Sequence, residues 1–293
     1  MLFVRFPRMC YTACMEKQIS SQAERLAFLI DALKNESDEY RAISVPHVYD
    51  EQRLLFRSLM NVRLPHPIAP EVLRAQDDFL QTEARENGIV SLADIPTAKT
   101  QYASAHKHAE KLSIWQGDIT RLHVGAIVNA ANSQLLGCFI PCHRCIDNAI
   151  HSGAGMQLRE ACNELMQKKR AQFGSNYEAP TGCAEITEAF NLPSSYVIHT
   201  VGPIVSSHLT EQHCDNLRSC YKNVLTCAKS HNVRSVAFCC ISTGEFHFPN
   251  DAAAEIAINT VSDFLADDAD AFDRIIFNVF KEADKKLYEQ LLA

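Results

Sequence analysis

The feature that most constrains the fold is the regular alternation of strand and helix patterns from residue 112 to residue 293. Short apolar and β-branched runs predict strands, and the longer amphipathic runs between them predict helices. The predicted strands are 112–115, 126–130, 183–187, 196–201, 234–241 and 274–280, and the predicted helices are 146–169, 211–230, 251–265 and 283–292. Strands that alternate with helices of this length indicate an α/β fold in which helices cover both faces of a largely parallel sheet.

Residues 1–100 have a different character. Apolar residues at helical spacing predict a helix over 20–34, a second helix from about Glu51 and a third over 71–86. The segment from Leu64 to Pro70 cannot be helical, because each of its prolines lacks an N–H donor and restricts the preceding residue. We therefore predict a helical N-terminal extension over residues 1–100, whose default role is packing on the next domain.

Net charge and cysteine content limit the kinds of partner and the cellular compartment that can be expected. The formal net charge is -7 and there is no long basic run, which argues against nucleic acid as the main partner. The 12 cysteines lack the regular spacing of a small secreted scaffold, so they predict reduced thiols in an intracellular, cytoplasmic protein. No stretch approaches about 20 consecutive apolar residues, so no membrane partner is expected. Residues 1–15 contain Arg5 and Arg8 but no acid, which allows either a weak organelle-targeting segment or a flexible terminus before a second start at Met15.

The run from Cys138 to Asp147 holds three soft ligands in the pattern Cys-x4-His-x-Cys. The thiolates of Cys138 and Cys145 and the imidazole of His143 are donors that suit zinc. Three protein ligands leave a fourth position open, which favours a catalytic site, because structural zinc sites normally close with four protein ligands. We leave out Cys142, because adjacent residues rarely reach one ion without backbone strain. The other interpretation is a cysteine-rich loop without a metal.

Three loops that follow predicted strands carry the polar and glycine residues expected of a binding site. They are the Gly117-Asp118 turn, the segment 129–145 and the turn from Ser242 to Phe246. In sheets of this kind ligands bind outside the carboxyl ends of the strands. The sequence therefore predicts that the three loops meet at one rim and form one site.

These loops resemble the ligand-binding motifs of the macrodomain family, whose members bind ADP-ribose and several of which hydrolyse it from proteins. The matching segments are Gln116-Gly-Asp118-Ile-Thr120, Ala126-Ile-Val-Asn129-Ala-Ala-Asn132, Leu135-Leu-Gly137 and Ile241-Ser-Thr-Gly244-Glu-Phe246. The resemblance spans about residues 112–293. It implies a three-layer α/β/α macrodomain over residues 101–293, with a mixed, largely parallel central sheet.

The sequence departs from the ordinary family pattern after Gly137. Most macrodomains continue there with a glycine run that holds the phosphates and the distal ribose, whereas this chain has residues 138–145. The replacement is similar to the zinc-dependent macrodomain group, microbial hydrolases often encoded beside a specialised sirtuin that adds the ADP-ribose. The segments Leu54-Leu-Phe-Arg-Ser-Leu-Met-Asn-Val-Arg63 and Gln76-Asp-Asp-Phe-Leu-Gln81 also resemble the leader of that group.

The resemblance implies a binding role for each motif. Asp118, followed by Ile119, would accept a hydrogen bond from the adenine amine; the alternative role is capping of the turn before Thr120. The turn that contains Gly244 would aim its N–H groups at the diphosphate, and Phe246 would pack on a ribose. The substrate-binding candidates are Asp118, Ile119, Asn132, Ser242, Thr243, Gly244, Glu245 and Phe246.

Asn132 and Asp147 are the candidate catalytic residues. Asn132 would hold the distal ribose hydroxyls, or else satisfy the tight loop after its strand. Asp147 would activate a water or stabilise an oxocarbenium-like transition state; the alternatives are a helix cap and an outer partner of a metal ligand. His151 lies one helical turn further on and would support Asp147 rather than bind metal, and His199, in a predicted strand, is expected to be structural.

The combined prediction is a zinc-dependent hydrolase that removes mono-ADP-ribose from O-linked protein side chains. Its expected cofactor is Zn²⁺, and its expected partners are an ADP-ribosylated protein, ADP-ribose and a functionally linked ADP-ribosylating sirtuin. Three alternatives stay open. They are a non-catalytic ADP-ribose-binding module whose zinc shapes the loop, a deacylase of O-acyl-ADP-ribose, and a zinc-thiol redox sensor.

Overall fold

The computed structural model describes residues 21–292, so both interpretations of residues 1–15 concern a segment outside the described residues. The N-terminal region consists of helices α1 (Gln22–Lys34), α2 (Asp38–Arg41), α3 (Tyr49–Val62) and α4 (Pro70–Glu86). The three long helices confirm the sequence prediction, whereas the single turn of α2 was not predicted. They enclose a separate core, made of Leu26, Leu29, Ile30, Leu33, Phe56, Leu59, Met60, Ala75, Phe79 and Leu80, with Met156 of the following domain.

The next segment contains β1 (Val90–Ser91), α5 (Ala98–Tyr102), β2 (Leu112–Gln116), β3 (Leu122–His123) and β4 (Ala126–Ala131). It is followed by α6 (Ile146–Ala154), α7 (Met156–Phe173), β5 (Glu185–Glu188) and β6 (Tyr196–Val201). The last elements are α8 (Glu211–Ser230), β7 (Ser235–Phe238), α9 (Asn250–Asp267), β8 (Arg274–Val279) and α10 (Glu282–Leu292).

The central sheet has six strands in the order β2-β8-β7-β4-β6-β5. All neighbouring pairs are parallel except β5 and β6, which are antiparallel. The two short strands β1 and β3 form a separate parallel pair. The sheet is therefore mixed and largely parallel, as predicted.

Helices cover both faces of this sheet. On one face, Asn129 of β4 donates a hydrogen bond to Asp147 of α6. On the other face, the ring centroid of Phe238 on β7 lies 4.9 Å from that of Tyr221 on α8. The three-layer α/β/α arrangement is thus confirmed, and it places α6 directly beneath the loop that follows β4.

The prediction of one helix over 146–169 is wrong, because the chain breaks at Gly155 into α6 and α7. Gly155 has φ 94°, and a Cβ there would lie 2.6 Å from Nε2 of Gln76. Gln76 is fully buried, and its side-chain oxygen accepts the N–H of Met156 at 2.9 Å, which satisfies the first turn of α7. The break is therefore imposed by a side chain of the N-terminal region.

The division of the chain at residue 100 stays a prediction, although Ile95 and Ala98 already pack into the larger core. None of the helices within residues 21–292 is long and apolar enough to cross a membrane.

Candidate functional site

The loops after β2, β4 and β7 lie at the carboxyl end of the parallel strands. The loop after β4 and the turn after β7 approach each other closely, since Nε2 of His143 lies 3.8 Å from a carboxylate oxygen of Glu245. The turn after β2 is tied to the end of β8, where the N–H of Gly117 donates to the carbonyl of Val279 at 3.0 Å. The predicted convergence of the motif loops at one rim is therefore present in the fold.

The side chains of Cys138, His143 and Cys145 form one compact group, the candidate metal-ligand group. Their potential ligand atoms all lie within 4.8 Å of one another, and each residue is partly exposed. Donors on one zinc ion are roughly 3.3–3.8 Å apart, given ligand distances of about 2.0–2.3 Å in a tetrahedral site. Nδ1 of His143 is buried and has no hydrogen-bond partner within the described part of the chain. The donor chemistry, the separations and the orphaned nitrogen fit Zn²⁺ with a small inward movement of the three side chains.

The thiol of Cys145 occupies the N-cap of α6, where it accepts the N–H of Asn148 at 3.4 Å. Burial, with smaller contributions from the charges of Cys138 and Asp147, raises the pKa of Cys145 to about 12, although the hydrogen bond from Asn148 lowers it. A cation bound at the group would reverse this balance, because a coordinating thiol loses its proton to the metal charge. The surroundings of Cys145 are thus electrostatically unfavourable for a bare thiolate.

Asp147 follows this cap and turns towards the sheet. Its side chain is 5% exposed, and Oδ1 accepts a hydrogen bond from Nδ2 of Asn129 at 2.8 Å. Burial raises the pKa of Asp147 to about 6, while the hydrogen bond from Asn129 and the charge of Arg159 oppose that rise. A carboxyl group with a raised pKa beside a metal-ligand group has the properties of a general base.

His151 lies one turn below Asp147, with Nε2 3.5 Å from Oδ1 of that carboxylate. The ring is buried, neither nitrogen has a hydrogen-bond partner among the described residues, and burial lowers its pKa well below the ordinary value. His151 is therefore a neutral neighbour of Asp147. The ring of His151 also explains why residue 137 is a glycine. Gly137 has φ 81°, and a Cβ added there would lie 2.8 Å from the imidazole.

A second group of potential ligands, His151, Cys162 and His199, is fully buried beneath the first. Both ring nitrogens of His199 already have partners, Asn129 at 3.1 Å and Thr187 at 3.0 Å. Burial lowers the pKa of His199 to about 4, so the ring is neutral. These contacts make His199 part of the polar packing between the sheet and α6, in line with the structural role predicted for it.

Asn132 is half-buried at the start of the loop after β4. Its Nδ2 donates to the carbonyl of Gly137 at 3.1 Å, and its Oδ1 accepts the N–H of Gln134 at 3.0 Å. The side chain therefore satisfies the tight loop, which is the structural alternative considered from the sequence. Contact with a distal ribose stays a prediction.

Asp118 is exposed and caps the turn after β2. Its Oδ1 accepts both the N–H of Thr120 at 3.0 Å and the Thr120 hydroxyl at 2.7 Å. Capping leaves Oδ2 for a ligand, so the two predicted roles are compatible. Ile119 as a whole is 1% exposed, so it offers a nucleotide almost no surface here, and its part in binding stays a prediction.

The turn after β7 has an unusual backbone. Ser242 has φ 66° and His247 has φ 54°, so the chain is left-handed at both ends of the turn. The N–H of Thr243 already donates to the carbonyl of Cys240 at 3.4 Å, so contact of the turn with a diphosphate stays a prediction. A Cβ on Gly244 would meet no atom within 4 Å, so a ligand can approach the backbone there. Phe246 is half-buried, and Glu245 extends towards the metal-ligand group.

Phe280 was missed in the sequence analysis, although it belongs to this rim. It follows β8 directly, is 75% exposed, and its carbonyl accepts a 3.4 Å hydrogen bond from Gln116, which immediately precedes the Gly117-Asp118 turn. An aromatic residue after a buried strand was the available signal. An exposed ring beside Asp118 offers a stacking surface for a base.

The N-terminal region also reaches the site. A cavity of about 330 Å³ lies between α3, α4 and the domain, and its walls include Asp118, Thr120, Arg57 and Glu83. Cys142 points away from the metal-ligand group and into α3, where its Sγ lies 3.4 Å from the carbonyl of Leu54. The exclusion of Cys142 from the ligand set therefore agrees with its position.

A mixed six-stranded sheet with a ligand rim built from these loops defines a macrodomain. The profile described as Macro domain matches residues 128–257. The chain is 48% identical over 273 residues to a protein-ADP-ribose hydrolase of Treponema medium, an alignment that covers 93% of this chain and 100% of that protein. It is 38% identical over 273 residues to a protein-ADP-ribose hydrolase of Staphylococcus aureus strain MSSA476, covering 93% of this chain and 96% of the other. The chain therefore belongs to the macrodomain family.

A solved structure gives the same assignment. The Trypanosoma brucei macrodomain in complex with ADP-ribose superposes with a TM-score of 0.60 at 27% identity, covering 81% of this chain and 95% of that chain. The aligned part is longer than residues 112–293, so the likeness extends into the region before β2.

Proposed function

We propose that this protein is a zinc-dependent hydrolase that removes mono-ADP-ribose from O-linked protein side chains. The observation that carries the proposal is the group of Cys138, His143 and Cys145, with ligand atoms within 4.8 Å, beside the buried carboxyl of Asp147. The named relatives from Treponema medium and Staphylococcus aureus support hydrolysis of protein-linked ADP-ribose. Zinc and the O-linkage go beyond those names; zinc rests on the donor set and on the sequence resemblance to the zinc-dependent macrodomain group.

Cys138, His143 and Cys145 would hold the ion. A zinc ion bound there supplies a Lewis acid that polarises an oxygen atom of the substrate or of water. The two thiolates offset its charge, so orientation of the ribose is expected to be the larger part of its contribution.

Asp147 would act on the water. Asn129 occupies its Oδ1, so Oδ2 would accept a proton as the water oxygen bonds to the anomeric carbon. The bond from that carbon to the side-chain oxygen breaks, and its electron pair leaves with the protein. An alkoxide leaving group takes up the proton that Asp147 accepted, which restores the carboxylate; a carboxylate leaving group departs as the anion, and Asp147 then loses its proton to solvent.

The rest of the rim would bind the nucleotide. Asp118 would accept from the adenine amine through Oδ2, Phe280 would stack on the base, the 242–246 turn would hold the diphosphate, and Asn132 would contact the distal ribose. These roles align the nucleotide along the rim, with its adenine beside β2 and β8 and its distal ribose beside α6.

Replacement of Phe280 with alanine is expected to weaken ADP-ribose binding roughly 5- to 150-fold, because stacking of a base on an aromatic ring contributes about 1–3 kcal/mol. Isothermal titration calorimetry with ADP-ribose measures the change. The matched control is Phe173→Ala, which removes a ring that is 59% exposed on α7 and stacks on Tyr177. Equal affinity in Phe280→Ala and the wild type would exclude the stacking role.

The proposed function is tested with a peptide that carries a single O-linked ADP-ribose and a matched peptide whose ADP-ribose is linked to an arginine nitrogen. We expect release of free ADP-ribose from the first substrate only. Release should stop when a chelator removes the metal and return on addition of Zn²⁺ but not Mg²⁺.

Other outcomes point to the other candidates. Tight ADP-ribose binding without release would indicate a reader, and turnover of O-acetyl-ADP-ribose alone would indicate a deacylase. Zinc loss on mild oxidation without nucleotide binding would indicate a redox sensor. Release that persists after verified zinc loss would leave a hydrolase but remove the metal from its mechanism. The link to an ADP-ribosylating sirtuin rests on the sequence resemblance and stays a prediction.

A further inference from the structure

One polar stripe of α3 is directed at the loop that carries the metal-ligand group. The side chains of Arg57, Ser58 and Asn61 lie within one turn on the same helix face, and the backbone carbonyl of Leu54 lies one turn before them. All four contact the segment 138–148, although about 80 to 90 residues separate the partners in sequence. This face of α3 is therefore not part of the N-terminal core, which uses Phe56, Leu59 and Met60 instead.

Cys142 is the point at which the loop docks on this stripe. Its N–H donates to Oδ1 of Asn61 at 2.9 Å, and its Sγ lies 3.2 Å from the hydroxyl of Ser58. Cys142 has φ 50°, a left-handed conformation that a cysteine rarely adopts without external support. Asn61, which is 1% exposed, is itself held by a 3.0 Å hydrogen bond to Ser152 of α6.

Arg57 holds the neighbouring residues of the loop. Its guanidinium donates to the carbonyl of His143 at 3.2 Å and to Oδ1 of Asn148 at 2.6 Å and 3.1 Å. Asn148 in turn donates its side-chain N–H to the carbonyl of Ile140 at 3.0 Å and its backbone N–H to Sγ of Cys145. Asn61 thus holds the residue before His143, and Arg57 holds the carbonyl of His143. Arg57 also contacts Asn148, whose N–H donates to Cys145 at the N-cap of α6.

We propose that α3 is a positioning element of the metal site, with Asn61 and Arg57 as positioning residues that set the geometry of the loop containing His143 and Cys145. The N-terminal region would then be required for the metal site itself and not only for packing on the macrodomain. This inference rests on the proposed zinc site, and it assigns no direct substrate contact to either residue.

The experiment uses the full chain and compares Asn61→Ala and Arg57→Met with the wild type. Zinc affinity is measured by competition with a chromophoric chelator, and the visible spectrum of the Co²⁺-substituted proteins reports the ligand geometry. We expect zinc binding to weaken about 10- to 100-fold, as for other outer partners of metal ligands, and the Co²⁺ bands to change. Arg57→Lys keeps a positive charge but cannot donate to His143 and Asn148 with the planar geometry of a guanidinium. Its zinc affinity should therefore lie between those of Arg57→Met and the wild type.

The matched control is Gln81→Ala. Gln81 of α4 makes a 3.1 Å side-chain hydrogen bond to Asn191, so this variant also removes a contact between the N-terminal region and the macrodomain, but one remote from the loop. Its zinc affinity and Co²⁺ spectrum should equal those of the wild type. If Asn61→Ala does not fold, the Arg57 variants provide the same comparison, because Arg57 is only half-buried.

Two results would overturn the inference, and they are distinguishable. Wild-type zinc affinity and Co²⁺ spectra in the folded Asn61 and Arg57 variants would reduce α3 to a packing element while leaving the zinc site in place. A wild-type protein that binds no stoichiometric zinc would refute the proposed metal site and the positioning role with it.

Discussion

Replacement of Cys138 or Cys145 with alanine is expected to lower the rate of ADP-ribose release by a factor on the order of 10³ and to abolish stoichiometric zinc. Each substitution leaves only two of the three donors whose ligand atoms lie within 4.8 Å of one another. The ion would orient the ribose and polarise an oxygen atom, and together these effects are expected to stabilise the transition state by about 4 kcal/mol. Each 1.36 kcal/mol of lost stabilisation lowers the rate tenfold. Single-turnover kinetics on an O-linked substrate, together with metal analysis of the same samples, measure both effects.

Two other cysteine variants make the result specific. Cys227→Ala removes a half-buried thiol from the last turn of α8, at the end of the helix opposite to the rim, and should leave turnover at the wild-type level. Cys142→Ser tests whether Cys142 is a zinc ligand. Its sulfur points into α3, so the variant should still bind one zinc ion. Full turnover by metal-free Cys138→Ala and Cys145→Ala proteins would remove zinc from the mechanism. Loss of zinc in Cys142→Ser, with zinc retained in Asn61→Ala, would add Cys142 to the ligands.

The layered fold could be predicted from the sequence because its signals are local. Strands such as β4 and β6 are mostly apolar, with Asn129 and His199 among their few polar residues, and strands buried on both faces have that pattern. Their order along the chain also placed the motif loops at one rim, since the carboxyl ends of parallel strands point the same way. The contact between His143 and Glu245 is the direct consequence.

Features that depend on contacts between distant segments could not be predicted. The sequence of α6 and α7 continues a helical pattern through Gly155, and only the side chain of Gln76 explains why the helix ends there. The apolar spacing in α3 predicted a helix, but it did not reveal that the guanidinium of Arg57 donates to the carbonyl of His143. Helical periodicity identifies a polar face but not the segment that it meets.

The residues of the site could also be predicted only in part, because some of their properties depend on how α6 packs. The spacing of Cys138, His143 and Cys145 was sufficient to propose a metal group, because ligands within eight residues need only one loop to bring them together. The spacing could not reveal that Asp147 would be 5% exposed and bonded to Asn129, since that depends on where α6 packs on the sheet. Burial is what separates a candidate base from an ordinary helix cap.

Asp147→Asn is expected to lower kcat by a factor of about 10² to 10³ while ADP-ribose affinity and zinc content change less than about threefold. The change is nearly isosteric, and the new amide oxygen can still accept the 2.8 Å hydrogen bond from Nδ2 of Asn129. The amide cannot take a proton from water, and general-base catalysis contributes typically 10²–10⁴-fold. Initial-rate assays measure kcat, calorimetry with ADP-ribose measures the affinity, and metal analysis measures the zinc content.

The matched control for this substitution is Asp77→Asn. Asp77 is a half-buried carboxylate that also accepts hydrogen bonds from side-chain amides, from Gln157 at 2.6 Å and Asn191 at 2.8 Å, but it lies between α4 and the domain. Its replacement should leave kcat at the wild-type level, so a selective loss in Asp147→Asn would report chemistry rather than the removal of a charge. A wild-type kcat in Asp147→Asn would make Asp147 a structural cap of α6, and the water would then have to lose its proton to another group. A parallel loss of zinc would instead show that Asp147 supports the metal ligands, which is the alternative that its position two residues after Cys145 allows.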